Sequence, residues 1–297
     1  MENIPIVPAK TIIQNVKGGY DWFGLDYNMN IYRGCSHGCI YCDSRSDCYR
    51  NIDFDTVKVK ENALQIIRGD LRRKVKTGVI GTGAMSDPYN PLEEKLRLTL
   101  NALELINAFR FGVAISTKSD MVVRDLDVLG DIKTHSPVIV NLTITTADDE
   151  LCKIIEPNVS LSSERFEAIR KLADKGIFCG VLIMPILPFI NDTEENIAGI
   201  LRRAKDAGAK FAYGYMGMTL RQGNREYYYD CLDKHFPGIK EKYIKKYDLR
   251  YNCSSPNGKK LRGIFANECE KLGLLYDMRA IISRYKAGYG DSQLKLF

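Results

Sequence analysis

The sequence predicts an α/β fold: a partial (β/α)6 TIM-like barrel with a helical C-terminal extension. Three observations predict it. Six short segments rich in Val, Ile and Phe, each bounded by turn residues, alternate with stretches of helical periodicity from about residue 27 onward. Such alternation builds parallel strands joined by right-handed crossovers. Six units are too few to close an eight-stranded barrel, and from about Arg225 the pattern becomes helical and basic. The expected organisation is an N-terminal segment (1–26), a partial barrel (27–225) and a basic helical extension (226–297).

The expected strands are 28–33, 78–83, 112–117, 138–145, 177–184 and 211–216. Helix 91–109 places apolar residues at 92, 96, 100, 103 and 106 on one face. Helix 162–175 gathers Phe166, Ile169, Leu172 and Ala173 on one side. Helix 193–207 reads as capped by Asp192, with Glu195 three residues on and Gly208 at its end. A further helix spans 261–272, with Gly273 closing it. The 297 residues and 45% hydrophobic content are ample for a sizeable core. The N-terminus has no basic segment followed by an apolar run, and the apolar stretch 181–190 is interrupted by Pro185 and Pro188. A membrane helix needs about 20 apolar residues, so a soluble, cytoplasmic protein without membrane contact is expected. In that setting nine cysteines read as metal or catalytic thiols rather than disulfides.

Three of them carry the chemistry. Cys35, Cys39 and Cys42 stand as C-x3-C-x2-C after the first expected strand, on a loop softened by Gly34 and Gly38. Soft thiolates select iron–sulfur clusters, zinc or copper(I). Three local cysteines can hold three irons of a [4Fe–4S] cluster and leave the fourth open, whereas electron-transfer clusters use four. Other readings stand beside this one. Cys39 and Cys42 alone form a C-x-x-C redox pair, and Cys48 or His37 can complete a four-ligand zinc site. Three unrelated thiols are the last.

The spacing, with Tyr41 just before the last cysteine, resembles the signature of the radical S-adenosylmethionine (SAM) enzymes, in the branch that contains spore photoproduct lyase. The resemblance extends over roughly residues 5–220. It implies a [4Fe–4S] cluster on Cys35, Cys39 and Cys42, SAM at the open iron, and a flavodoxin- or ferredoxin-type electron donor. The stretch from Gly81 to Glu93 resembles the glycine-rich approach to the methionyl group, with Gly83, Ser86 and Asp87 near the cofactor. Lys118, after the third strand, corresponds to a lysine that pairs with the methionyl carboxylate. In the fourth strand Thr143 and Thr145 share one face with Asn141 and suit a ribose. Glu156 and Arg165 match a recurring pattern, in which Arg165 contacts the cofactor carboxylate or pairs with Glu156.

Two positions depart from the lyase pattern. A hydrogen-donating cysteine is expected two residues before Ser86, where Ala84 stands, and a tyrosine is expected after the third cluster cysteine, where Asp43 stands. Cys253 and Cys231 are the candidate substitute thiols. The net charge is +6, and the segment 240–262, with eight basic and two acidic residues, carries that same +6. Tyr243, Tyr247 and Tyr251 are interleaved, so the segment reads as a nucleic-acid surface with stacking faces, or as a solvated helix face. The expected function is therefore a radical SAM enzyme, its substrate open and nucleic acid among the candidates. The alternatives are a zinc-stabilised nucleic-acid-binding protein without catalysis and a radical SAM maturase acting on a peptide or small molecule.

Overall fold

The computed structural model describes residues 4–16, 22–50 and 53–289. Its strands are β1 (Ile6–Val7), β2 (Ile13–Asn15), β3 (Tyr27–Met29), β4 (Tyr32–Arg33), β5 (Lys58–Lys60), β6 (Val79–Thr82), β7 (Gly112–Thr117), β8 (Val138–Thr143), β9 (Phe178–Ile183), β10 (Phe211–Gly214), β11 (Gly217–Thr219) and β12 (Asn252–Ser254). The helices are α1 (Ala63–Arg73), α2 (Leu92–Leu96), α3 (Leu98–Ala108), α4 (Leu126–Lys133), α5 (Asp149–Ile155), α6 (Ser162–Asp174), α7 (Glu194–Asp206), α8 (Asn224–His235), α9 (Ile239–Tyr247), α10 (Gly258–Leu272) and α11 (Met278–Lys286).

The main sheet runs β10-β9-β8-β7-β6-β3-β2. Its six barrel strands, β3, β6, β7, β8, β9 and β10, are parallel, and β2 adds an antiparallel edge. Side chains alternate across such a sheet. Ile80, Val113, Ile115, Val140, Leu142, Val181 and Ile183 face outward into the core shared with the helices. Gly81, Ala114, Ser116, Asn141, Thr143 and Leu182 face inward and line one cavity. That shared cavity shows the sheet curved into a partial barrel. Helix α7 shows how the outer layer holds: Ile197, Ile200, Leu201 and Ala204 are all buried. Each fully buried Ile or Leu is worth roughly 1.5–3 kcal/mol.

Three expected elements differ in detail. The first strand is two. After Met29 the chain leaves the barrel, and Tyr32 and Arg33 pair with β5 in a separate three-stranded sheet, where the Tyr32 hydroxyl donates to the buried carboxylate of Glu93. Helix 91–109 breaks at Arg97, whose φ is 50°. There Glu93 accepts from the Thr99 and Leu100 amides, so a side chain from the first helix caps the second. The cap of α7 is Thr193, accepting from the Asn196 amide at 3.1 Å. Asp192 instead accepts from the Phe189 amide at 2.7 Å and the Ser255 hydroxyl at 2.6 Å.

The C-terminal region is draped over the barrel in three places. Helix α10 packs on α7, and α11 packs against β8. Helices α8 and α9, with the antiparallel pair β11–β12 that brackets them in the chain, share a hydrophobic cluster with Cys39, Ile40 and Tyr41.

Candidate active site

The cysteine loop is held from three sides. Gly34 has φ 81°, and a Cβ there would lie 2.5 Å from the Thr56 carbonyl, so only glycine fits that turn. The Cys35 amide donates to Phe54 at 2.8 Å and the Ile40 amide to Ile155 at 3.0 Å. Asn158 closes the third side, with its amide on the His37 carbonyl at 3.1 Å and its side chain on the Ser36 carbonyl at 3.0 Å. Cys39 is buried, and Cys35 and Cys42 are half-buried. Burial pushes the Cys35 thiol up to about 11, with the Asp87 carboxylate adding to it, and burial also raises the Cys39 thiol well above its ordinary value. Such thiols become thiolates when metal binds.

Both proposed fourth zinc ligands have other neighbours. His37 turns its Nδ1 to Asp87 at 3.6 Å, and Cys48 accepts from the Arg221 guanidinium at 3.2 Å. Among the described residues no three His, Cys, Asp or Glu side chains converge as the shell of one ion.

The stretch after β6 connects the loop to the cavity. Gly83 and Ala84 line the cavity, while the Ser86 hydroxyl donates to the Gly34 carbonyl. Asp87 accepts from the Thr117 hydroxyl at 2.7 Å and the Lys118 amide at 2.9 Å. It therefore ties the end of β7 to the glycine stretch. Gly83 has φ 97°, and a Cβ there would fall 1.9 Å from the Ser116 carbonyl. The Lys118 ammonium lies 5.8 Å from the Tyr41 ring centre. Burial works against its charge, but Cys39, Glu156, Cys42 and Asp87 outweigh it and raise its pKa.

The cavity, about 380 Å³, lies toward the C-terminal ends of the strands, where barrel enzymes carry their chemistry. Asn28, Ser116, Asn141 and Thr143 form a polar wall; Trp22, Phe23, Leu25, Leu182 and Met184 form an apolar one. Asn141 is 1% exposed and donates to the Ser116 hydroxyl at 3.1 Å, yet its Oδ1 has no partner. A buried acceptor left open on a cavity wall is a place for a ligand donor.

Behind the loop lies a sealed ion pair. The Arg165 Nη2 donates to Glu156 at 2.6 Å, both side chains being 0% exposed. Glu156 also accepts from Tyr41 and from Thr145 at 3.1 Å. Tyr41, Thr145 and Arg165 thus hold the cysteine loop to α5 and β8. Of the two roles open to Arg165 in the sequence, the structure shows the pairing with Glu156; its Nη1 donates to the Thr143 carbonyl at 2.7 Å.

At the departures from the lyase pattern, Ala84 presents a methyl to the cavity, and Asp43 accepts from Tyr49 at 3.1 Å and Thr219 at 3.2 Å. Cys253 is buried and pushed up to about 11 by that burial, and Cys231 is half-buried; neither lines the cavity. The stacking faces expected of Tyr243 and Tyr247 are turned inward. Tyr243 accepts from Tyr228 at 3.0 Å, and Tyr247 donates to the Ser254 carbonyl at 2.6 Å. Sequence reasoning missed the apolar wall. The only signal for it was the single tryptophan, Trp22, ahead of the first barrel strand.

Comparison with known proteins places this geometry. The family model described as the radical SAM superfamily matches residues 29–204. An uncharacterized protein of Mycobacterium tuberculosis is 29% identical over 228 residues, covering 74% of this chain and 67% of that protein. An uncharacterized protein of Methanocaldococcus jannaschii is 36% identical over 174 residues, covering 58% of this chain and 64% of that protein. Among solved structures, spore photoproduct lyase complexed with dinucleoside spore photoproduct aligns with a TM-score of 0.67 at 15% identity. That alignment covers 91% of this chain and 80% of the lyase, and shows the shared fold. No described helix is long and apolar enough to cross a membrane.

Proposed function

From the premise that this chain belongs to the radical SAM superfamily, whose members use SAM and an iron–sulfur cluster, we propose that it is a hydrogen-abstracting enzyme. On this reading Cys35, Cys39 and Cys42 carry a [4Fe–4S] cluster with one open iron. The observation that carries it is the stretch 83–87, which binds the three-thiol loop at one end and walls the cavity at the other. The residues fit the missing groups. The donor set is three soft sulfurs, and Asn141 holds an open acceptor on the cavity wall. When bound, the cluster and SAM supply a 5′-deoxyadenosyl radical that removes a hydrogen atom from the substrate. The protein's part is to hold and orient. Lys118 offers a charge for the methionyl carboxylate; Asn141 and Thr143 offer hydrogen-bonding groups for the ribose. The apolar wall excludes water from the reacting centre.

Anaerobic reconstitution is expected to give about four irons per chain, the content of a [4Fe–4S] cluster. Replacing Cys35, Cys39 or Cys42 by Ala abolishes this, and Cys48→Ala does not. Dithionite-reduced protein then forms 5′-deoxyadenosine slowly without substrate. Stoichiometric zinc without iron uptake overturns the reading. Lys118→Ala weakens SAM binding by ~1.5–3 kcal/mol, the worth of a hydrogen bond to a charged group. Calorimetry with SAM checks this, and unchanged affinity removes Lys118 from the site.

A further inference from the structure

The turn Trp22–Gly24 crosses the gap in the barrel. The first and last of the six parallel strands, β3 and β10, lie at opposite ends of the parallel run and do not pair. The Trp22 ring, just ahead of β3, meets Tyr213 of β10 at 5.6 Å between centroids, and Phe23 meets Phe211 of β10 at 5.8 Å. Trp22 lines the cavity and is half-buried, so part of its surface stays open to a ligand.

Three features distinguish this wall from simple filling. Its rings meet at right angles. Trp22 lies at 82° to Phe23 and 83° to Tyr213, so neither ring lies flat on the indole. A parallel, offset partner is the arrangement a flat ligand can still supply. The turn is also held in a strained shape. Phe23 has φ 46°, which bulky residues rarely adopt and which recurs at ligand clamps. Tyr285 donates to the Phe23 carbonyl at 2.6 Å and Lys286 to the Gly24 carbonyl at 2.5 Å, so the indole is presented in one place before a ligand arrives. Finally, charge is sorted. Lys118 and Asp87 stand by the cysteine loop, whereas none of the described residues that line the cavity is charged. Burying a charge without a partner is costly, so what rests against Trp22 is neutral. Asn28, on the same cavity, carries both a donor and an acceptor for the edge of such a ligand.

Building on the radical SAM reading above, we propose that Trp22 is the stacking platform for a neutral, flat heteroaromatic ring and thereby a specificity-determining residue of the site. Two rings have that chemistry: the adenine of SAM and a ring of the substrate itself. The same wall selects against a ligand whose buried part is a phosphate, a carboxylate or an ammonium group.

The sequence supplies a direct probe, because Trp22 is its one tryptophan. Selectively excited indole emission of the anaerobically iron-loaded protein therefore reports this position alone. The titrants are SAM, 5′-deoxyadenosine, methionine, uridine and inosine; methionine matches the charged end of the cofactor and has no ring. If adenine is the ring, SAM and 5′-deoxyadenosine quench the emission and methionine does not. If the ring belongs to the substrate, SAM binds by calorimetry without quenching, and uridine or inosine added to the SAM complex quenches. Trp22→Leu keeps an apolar wall without a ring and is expected to weaken binding of the quenching ligand on the order of tenfold. Trp22→Phe, which keeps a ring, is expected to recover most of that loss. Emission unchanged by every titrant while calorimetry shows SAM bound overturns the proposal, and so does a folded Trp22→Leu that binds the ligand as well as wild type. The emission titration needs no variant, so it decides even where Trp22→Leu fails to fold. Absence of iron uptake and of dithionite-driven 5′-deoxyadenosine in wild-type protein instead overturns the radical SAM reading, and the uridine and inosine titrations still judge Trp22.

Discussion

Glu156 ties the cysteine loop to the barrel through Tyr41. Its carboxylate takes hydrogen bonds from Tyr41, Thr145 and Arg165 in a space closed to solvent. Burial alone would raise its pKa, but the Arg165 guanidinium, with Lys118 nearby, holds it below the ordinary 4.5. Removing one partner of a buried pair strands the other's charge. Glu156→Gln is therefore expected to cost about 3–5 kcal/mol, read from urea unfolding of the protein. The pH dependence has a definite sign. A carboxylate whose folded pKa is depressed stabilises fully above its unfolded value. Its contribution is present above about 4.5 and is lost as pH falls through the lower folded value. Urea midpoints of wild type should fall along that acid limb, and those of Glu156→Gln should fall less. At this scale the sequence was legible where a residue type dictates chemistry, as with the three cysteines. It was ambiguous for Arg165, because an arginine that binds a cofactor and one that pairs with a carboxylate look alike until the fold brings Glu156 beside it.

The elements were legible where period and caps agree, and obscure where a distant side chain decides. Nothing local distinguishes 91–109 from one amphipathic helix. The break at Arg97 exists because Glu93, buried by the fold, caps α3 and also receives Tyr32 and Arg124. Tyr32 lies 61 residues away in the chain. Glu93→Ala is expected to destabilise by at least about 2 kcal/mol. About 1 kcal/mol comes from the lost cap, and about 1–3 kcal/mol from a buried tyrosine hydroxyl left unpaired. Glu94→Ala, one residue on and exposed, should change the guanidinium midpoint little. The six parallel strands were legible for the opposite reason. Each is a short run rich in Val, Ile and Phe between turn residues, although the first, expected over 28–33, leaves the barrel after Met29.

At the scale of the molecule, the cysteine loop has a roof made late in the chain, and the cavity has a side wall made early and fastened late. The roof is α8, α9 and the antiparallel pair β11–β12. Tyr243→Ala removes an aromatic from its centre, a change worth about 3–5 kcal/mol for a fully buried aromatic. The iron-loaded variant should lose its visible absorbance in air faster than wild type, with iron stoichiometry unchanged when it is prepared anaerobically. This covering was not legible beforehand, because the tyrosines that face the loop are interleaved with lysines that do not. The wall is the turn Trp22–Gly24, where Phe23 adopts φ 46°, and α11 fastens it. Tyr285 donates to the Phe23 carbonyl and Lys286 to that of Gly24, 262 residues apart in each case. The Phe23 amide meets Met278, 255 residues on. A ribosome adding roughly 5–20 residues per second takes roughly ten to fifty seconds to cover that distance. During that interval the nascent chain has its cysteine loop but lacks the helix that fastens the turn. Until α11 emerges, the turn that walls the cavity lacks the three contacts that fasten it.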